Sequence, residues 1–223
     1  MNIEKLVNDS EQRNIWEIGN QVLYDLCAKY PKHDNGEEIV AKVWLIGRSY
    51  AAAIERRKIS DNYINDEYYT KNVIPKIIHS DLDIVLANID AGNAETVLRV
   101  HKYLTGLFKD ISGLEKRALA SKYLHFHFPE VFYIYDSRAA GAIKMLKKKL
   151  QLKFEYPKYI EKYDKQYSKF YFDSRELINY IEKMYSMKLN CRKFDNLLME
   201  IGNEKLNKLL LIKHGKKEVG AHN

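Results

Sequence analysis

Apolar residues recur at intervals of three and four along most of this chain, and this spacing constrains its fold more than any other feature. One such stripe, near the N-terminus, comprises Ile15, Trp16, Ile18, Val22, Leu23 and Leu26. This period is typical of the buried face of an α-helix, whereas valine and isoleucine rarely alternate with polar residues as they would in strands. Only four prolines and ten glycines interrupt the pattern. We therefore expect an all-α protein that forms a compact multi-helix domain.

The pattern also predicts where the helices lie. The longer predicted helices span residues 10–29, 37–58, 94–109, 137–152, 174–187 and 192–212 (the last as one helix or two), with Ser10 as the N-cap of the first. Ser80 and Asp81 can cap a short helix through Ile89, and Pro75 should break or kink any helix before it. We expect residues 1–212 to form one domain, with an alternative sub-domain boundary near residue 151 and a flexible tail over 213–223.

Composition excludes several classes of protein. No apolar run approaches the roughly 18 residues that a membrane helix needs, and the N-terminus lacks the pattern of a signal peptide. Cys27 and Cys191 do not have the spacing of a metal site or a redox motif. Phosphate-binding, dinucleotide-binding, zinc-peptidase and calcium-loop motifs do not occur. We expect a cytoplasmic protein with no membrane partner, no metal and no cofactor, and the sequence leaves its oligomeric state open.

The formal net charge of the chain is +7. An excess of lysine and arginine suits a polyanionic partner such as nucleic acid, although many soluble proteins are equally basic without one. Charge alone therefore leaves a nucleic-acid partner open.

The stretch from Leu114 to Arg138 carries the most distinctive chemistry. It begins as a predicted helix, ends that helix near a proline, and continues as an extended apolar segment to Asp136. Lys122 lies in the most apolar part of the helix, where burial would lower the pKa of its amine and make it nucleophilic. The alternative is a lysine that extends its charge to the surface. Asp136 is a favoured N-cap residue, and its carboxylate would stay ionised at the positive end of the helix.

This arrangement resembles the core of the helix-hairpin-helix DNA glycosylases, and in particular the archaeal 8-oxoguanine glycosylases. The resemblance rests on Ala120-Ser121-Lys122 and on Asp136-Ser137-Arg138, and it covers about residues 110 to 145. The usual hairpin sequence, Leu-Pro-Gly-x-Gly, is replaced here by Ile111-Ser112-Gly113-Leu114-Glu115. This departure puts the contact of the hairpin with a DNA phosphate in doubt.

The resemblance implies removal of a damaged or modified base from a nucleotide flipped out of duplex DNA. Asp136 would stabilise the cationic sugar, and Lys122 would attack its anomeric carbon to form a Schiff base, which adds AP-lyase activity. Lys116 is an alternative nucleophile, and it lies six residues before Lys122. Six residues place the two amines on different faces of a helix, so both cannot serve one pocket.

Further residues are predicted to contact the substrate. Trp44, Tyr50 and Phe132 are candidates for stacking on the flipped base, while Arg138 can pair with Asp136 or bind a phosphate. The remaining candidates are Arg48, which shares a helix face with Glu55, and His125. Histidines in such a helix are more often structural, and the Arg48–Glu55 pair has a structural salt bridge as its alternative.

A basic segment follows the Lys–Asp stretch and is the predicted nucleic-acid surface. Its candidate contacts are Lys144, Lys147, Lys148, Lys149, Lys158 and Lys162. Tyr156, Tyr159, Tyr163, Tyr167 and Tyr171 recur among further lysines at helical spacing, which is typical of a core face but also of a surface that stacks on bases. A non-catalytic nucleic-acid-binding module and a protein-interaction domain therefore remain as alternatives to the glycosylase.

Overall fold

The computed structural model describes residues 2–11, 16–56 and 65–203, and every regular element within these ranges is helical. The expectation of an all-α protein is confirmed for this part of the chain. The α-helices are α1 (Ile3–Glu11), α2 (Glu17–Lys29), α3 (Gly36–Ser49), α4 (Asn65–Tyr68), α5 (Ile74–Ile78), α6 (Leu82–Ala87), α7 (Ala94–Ser112), α8 (Arg117–His127), α9 (Ser137–Lys149), α10 (Lys165–Tyr185) and α11 (191–203). A π-helix (Tyr69–Val73) joins α4 to α5, and a 3₁₀-helix (Lys158–Lys162) precedes α10.

The first predicted helix begins in the wrong place. Ser10 is not an N-cap, because it lies inside α1 and its hydroxyl donates back to the Val7 carbonyl at 2.7 Å. Serine makes this bond readily within a helix, so its presence alone does not mark a helix start. The next helix, α2, begins at Glu17 without a side-chain cap.

The second predicted helix ends earlier than expected. α3 stops at Ser49, and Ala51 adopts a left-handed backbone conformation with φ 51°. Arg48 and Glu55 therefore do not share a helix face, yet they still form an ion pair of 2.5 Å across the turn. The side chains meet because the chain folds back, a relation that helical spacing does not predict. Residues 57–58 of the predicted helix lie outside the described residues.

Pro75 has the effect that its chemistry predicts. It stands in the first turn of α5, directly after the π-helical segment Tyr69–Val73. Proline lacks an N–H and clashes with the carbonyl four residues before it, and the wider π-turn relieves this conflict. The helix does not break at Pro75 but changes type from π to α just before it, and the predicted kink stays a prediction.

The central helix of the fold is α8. All eight residues from Leu119 to Phe126 are buried, so this helix is surrounded on every side. It packs against α2, α3 and α7. Gly113 ends α7 in the left-handed conformation, with φ 75°, and a short loop then leads into α8. Lys122 is therefore carried on the most enclosed helix of the described structure.

The tyrosine stripe is not one helical face. Only Tyr167 and Tyr171 lie on α10, and both are buried, as the core interpretation requires. The other three come from the extended segment, the 3₁₀-helix and the loop before α10. α10 begins nine residues before the predicted start at 174 because Asp164 caps it by accepting from the Gln166 and Tyr167 amides.

Buried side chains from Ile3 to Ile201 form one hydrophobic cluster, which includes residues on both sides of position 151. None of the helices within the described ranges has the length and apolar character needed to span a bilayer. The predicted tail 213–223 lies outside the described residues, as do positions 204–212 of the last predicted helix.

Candidate active site

Lys122 and Asp136 lie side by side. The Lys122 side chain is 2% exposed, and its Nζ is 3.7 Å from Oδ2 of Asp136. The same ammonium donates to the Tyr135 carbonyl at 3.2 Å. The predicted burial of Lys122 is therefore confirmed, and its charge faces a carboxylate instead of reaching the surface.

The extended segment 132–136 is tied to α8 along its length. The Tyr135 amide donates to Ser121 Oγ at 3.0 Å, and the Ser121 hydroxyl donates in turn to the Ala118 carbonyl at 3.0 Å. Further back, the Phe132 carbonyl accepts from His125 Nδ1 at 2.8 Å. These bonds satisfy backbone groups that have no helical partner, and they return the chain to the level of Lys122.

The two carboxylate oxygens of Asp136 have different partners. Oδ1 accepts from the Ala139 amide at 2.8 Å, and the residue caps α9 as predicted. Oδ2 is left for Lys122. The carboxylate thus contacts both the N-terminal end of α9 and the Lys122 ammonium.

Asp136 also lines a cavity of about 480 Å³. The wall is built from α2, the residues at the end of α3, the segment before α9, and α11, and its polar members include Asn20, Tyr50, Arg192 and Asp195. The volume falls within the range of roughly 300 to 1,000 Å³ that is typical of small-ligand sites. Lys122 Nζ lies just behind this wall, 5.9 Å from the centre of the Tyr50 ring.

Arg192 organises the side of the cavity that faces Asp136. Its guanidinium donates to Asp195 Oδ2 at 2.9 Å and to Glu17 Oε1 at 3.2 Å. It also donates to the Tyr50 hydroxyl at 3.4 Å, and that hydroxyl donates to Asn20 Oδ1 at 2.7 Å. One arginine thus links α2, the end of α3 and α11, and it fixes the positions of the side chains between them.

The ionisable groups of the site are shifted from their ordinary pKa values. Burial lowers the pKa of the Lys122 amine, and the nearby Asp136 and Asp195 carboxylates oppose this only in part. Burial raises the pKa of Asp195 to about 6, against the opposing effect of Arg192. Shifts of this kind, in groups that surround a cavity, are typical of catalytic sites.

The arrangement has a definite chemical capacity. An amine with a lowered pKa is a nucleophile when it loses its proton, and the adjacent carboxylate stabilises a cation that develops beside it. The cavity that Asp136 lines has a volume of about 480 Å³, which is within the range of small-ligand sites.

Among the predicted contacts, Tyr50 and Arg138 belong to this cavity. The stem of Arg138 lies against Gly202 of α11, where a β-carbon would come within 2.8 Å of Arg138 Cγ. Glycine at this position therefore allows the arginine to lie along the rim.

The alternative nucleophile, Lys116, lies elsewhere. It precedes α8, and its Nζ donates to the Arg56 carbonyl at 2.5 Å. Together with Arg56 and Arg117 it lines a separate cleft. Lys116 therefore lies at a cleft that Asp136 does not line, and of the two lysines only Lys122 contacts Asp136.

Four other predicted contacts lie away from the cavity. His125 is fully buried, with its two ring nitrogens at 2.8 Å from the Phe132 carbonyl and 2.7 Å from the Tyr24 hydroxyl. Phe132 is itself buried in the core, whereas Trp44 is 44% exposed on the outer face of α3. Arg48 is paired with Glu55. The apolar surroundings that suggested stacking at Phe132 are those of the protein core.

The predicted nucleic-acid lysines differ among themselves. Lys147 is half-buried, and its ammonium lies 2.5 Å from Asp173 and 3.0 Å from the Tyr156 hydroxyl. This contact joins α9 to α10. The remaining predicted lysines are exposed, namely Lys144, Lys148, Lys149, Lys158 and Lys162.

Sequence analysis missed most of the wall opposite Asp136. Trp16, Asn20, Arg192 and Asp195 all line the cavity and were not predicted as site residues. One signal was present, because Asp195 follows Phe194 on the apolar face of the last predicted helix. A carboxylate on such a face is seldom buried without a specific partner.

Within the described ranges, no group of three or more histidine, cysteine, aspartate or glutamate side chains is placed to hold a metal ion. Comparison with known proteins finds no matching family model, no matching curated protein and no matching solved structure.

Proposed function

We propose that this protein is a DNA glycosylase with AP-lyase activity, which removes a damaged or modified base from a flipped-out nucleotide. The observation that carries the proposal is the 3.7 Å contact of the buried Lys122 amine with Asp136, whose carboxylate lines an open cavity. A lone buried lysine would indicate a structural role, whereas a lysine with a lowered pKa beside a carboxylate in a cavity suits covalent chemistry.

The reaction divides into two steps. As the bond between the base and C1′ breaks, its electron pair leaves with the base, which takes up a proton, and positive charge develops on the sugar. Asp136 stabilises this charge. The neutral Lys122 amine then forms a bond from its nitrogen to C1′. The bond from C1′ to the ring oxygen breaks as the imine forms, one amine proton passes to that ring oxygen, and the other is lost to water or to the departed base. Loss of a proton from C2′ finally breaks the bond between C3′ and its phosphate oxygen.

The exposed lysines support a nucleic-acid substrate. Exposed lysines at the end of α9 and on the 3₁₀-helix can neutralise backbone phosphates. The relation between α7 and α8 also fits the proposal, because the two helices pack together across a short loop and the second one carries Lys122.

Borohydride trapping tests the proposal. Duplex DNA carrying one lesion, drawn from a panel of oxidised, deaminated and alkylated bases, is incubated with the protein and sodium borohydride, which reduces an imine to a stable amine. We expect a cross-linked species with at least one lesion, and its loss in Lys122→Met. Lys116→Met is the matched control, since it removes an amine that faces the other cleft, and it should still be trapped.

The result that contradicts the proposal is also defined. If no lesion gives an adduct or a released base, while salt-dependent DNA binding persists, the protein is a non-catalytic binding module. If DNA does not bind even at low salt, the protein-interaction alternative remains.

A further inference from the structure

Three side chains in the cavity wall each have a polar atom without a partner. Asn20 and Asp195 are both 5% exposed, and both line the cavity opposite Asp136. Asn20 Nδ2, Asp195 Oδ1 and Arg192 Nε are buried and make no hydrogen bond. Most buried polar atoms in proteins are bonded, so three such exceptions in one cavity call for an explanation.

Neighbouring groups determine which atom is left over in each case. The Tyr50 hydroxyl donates to Asn20 Oδ1 at 2.7 Å, which leaves the amide N–H group as a donor. Arg192 donates to Asp195 Oδ2 at 2.9 Å, which leaves Oδ1 as an acceptor. The cavity wall therefore carries two unused donors, Asn20 Nδ2 and Arg192 Nε, and one unused acceptor, Asp195 Oδ1, and each of the three side chains is held by another bond.

Aromatic rings belong to the same cavity. Trp16, which directly precedes α2, is 68% exposed and lines the cavity. Tyr50, which directly follows α3, lines it as well. A planar ligand can bury its faces against rings of this kind while its edge meets the polar groups. The unused atoms are themselves closed to solvent, so the groups that cover them must move aside as the ligand enters, while Tyr50 and Arg192 keep hold of the two side chains.

We propose that Asn20 and Asp195 select the substrate by binding one edge of a nucleobase that places an N–H donor beside a hydrogen-bond acceptor. This inference rests on the proposed function and names the feature of the base that the site selects. Asn20 donates to the acceptor of the base, and Asp195 accepts from its N–H. A base that is alkylated on this edge lacks the donor, leaves Asp195 unpaired and is rejected.

The two tryptophans of the chain make a direct binding assay possible. Trp44 lies on the outer face of α3, so Trp44→Phe leaves Trp16 as the single tryptophan, beside the cavity. The full chain with this substitution is titrated with uracil and, separately, with 1,3-dimethyluracil, while Trp16 fluorescence is followed. Dimethyluracil keeps the ring and both carbonyl groups but has no N–H. We expect uracil to change the fluorescence at concentrations about tenfold or more below those that dimethyluracil requires.

Two isosteric substitutions locate the effect. Asn20→Asp keeps an acceptor for Tyr50 but replaces the free donor with an acceptor, and Asp195→Asn keeps an acceptor for Arg192 but replaces the free acceptor with a donor. Each should weaken uracil binding by about tenfold or more and reduce the preference over dimethyluracil. Gln21→Glu and Asp25→Asn make the same charge changes on exposed positions of α2 and should leave binding unchanged.

The inference is overturned if uracil and dimethyluracil bind equally, if neither binds, or if folded Asn20→Asp and Asp195→Asn keep the preference. Circular dichroism establishes that the variants are folded. The comparison of uracil with dimethyluracil uses protein in which Asn20 and Asp195 are unchanged, so it does not depend on the folding of those variants. Because free bases need no chemistry, binding without base release would contradict the proposed function alone. Base release that is indifferent to both substitutions would contradict the present inference alone.

Discussion

Lys122 and Asp136 are separated by fourteen positions in the chain, yet their charged groups lie 3.7 Å apart. The amine is almost fully buried, and Asp136 is one-third exposed at the cavity. One carboxylate oxygen completes the N-terminus of α9 while the other faces the amine. Asp136 therefore both caps α9 and contacts the Lys122 amine, and different substitutions can remove these two contacts separately.

Asp136→Asn and Asp136→Ala should differ in stability but not in activity. Both remove the charge beside Lys122, so we expect base release to fall by about 100-fold or more in each. Asparagine can still accept from the Ala139 amide, whereas alanine cannot, so Asp136→Ala should be less stable by about 1 kcal/mol. Urea denaturation and single-turnover base release measure the two effects. Equal stability of the two variants would show that the cap contributes nothing.

Asp195→Asn should stabilise the protein at neutral pH. Burial raises the pKa of Asp195 to about 6 from its usual value near 4, so the fold favours the neutral acid. Its contribution to stability is present below pH 4 and is lost as the pH rises through 6. Asparagine does not ionise and should therefore raise the free energy of unfolding by about 1 to 3 kcal/mol at pH 7.5.

The gain from Asp195→Asn should shrink toward zero as the pH falls to 4, and denaturation at several pH values measures it. Asp25→Asn, at an exposed position, is the control. A gain of equal size at every pH would contradict the titration of Asp195 as its cause.

Two buried histidines should make the protein sensitive to acid. Burial lowers the pKa of His125 to about 4 and that of His101 to about 3, from an ordinary value of 6.5. Their contribution to stability is complete above pH 6.5 and is lost as the pH falls toward these values. His125→Ala should also cost about 2 to 4 kcal/mol at pH 7, because it opens a cavity and leaves the Phe132 carbonyl unpaired. Thermal unfolding between pH 4 and 8 tests both statements, and unchanged stability across this range would contradict them.

The lysines at the end of α9 should fall into two groups. Replacing the exposed Lys148 and Lys149 with alanine should weaken DNA binding and reduce the slope of log affinity against log salt by about 1 for each lost phosphate contact. Lys147→Ala should instead lower stability, since it leaves Asp173 and Tyr156 without their shared cation. A loss of affinity on Lys147→Ala at unchanged stability would reverse this assignment.

The all-helical class and the cap at Asp136 could be predicted because they depend on local patterns. Apolar periodicity determines which faces are buried, and an aspartate before a helix satisfies free amide groups. Ser10 shows the limit of such patterns, because the same side chain can cap a helix or bond back within one. The end of α3 was missed because Ala51, a good helix former, adopts a left-handed conformation there.

The Lys–Asp pair could be predicted from one continuous stretch of sequence, whereas the facing wall could not. Asn20 and Asp195 are 175 positions apart, and they line the same cavity only because tertiary packing brings α2 and α11 to it. Arg192 positions this wall by bonding to Glu17, Tyr50 and Asp195. The sequence around Arg192 does not indicate these partners. Phe132 and His125 were misplaced for the opposite reason, since an apolar environment in sequence does not distinguish a core from a pocket.

The link between Ser121 and the Tyr135 amide has a consequence for how this site can change over time. It holds Lys122 and Asp136 within one short stretch of the chain, whereas the opposite wall of the cavity comes from α2 and α11, which are far apart in sequence. Substitutions in α2 or α11 can therefore alter what enters the cavity without moving the amine or its carboxylate. Under the proposed function, such substitutions would change which base is selected while the Lys122–Asp136 contact stays as it is.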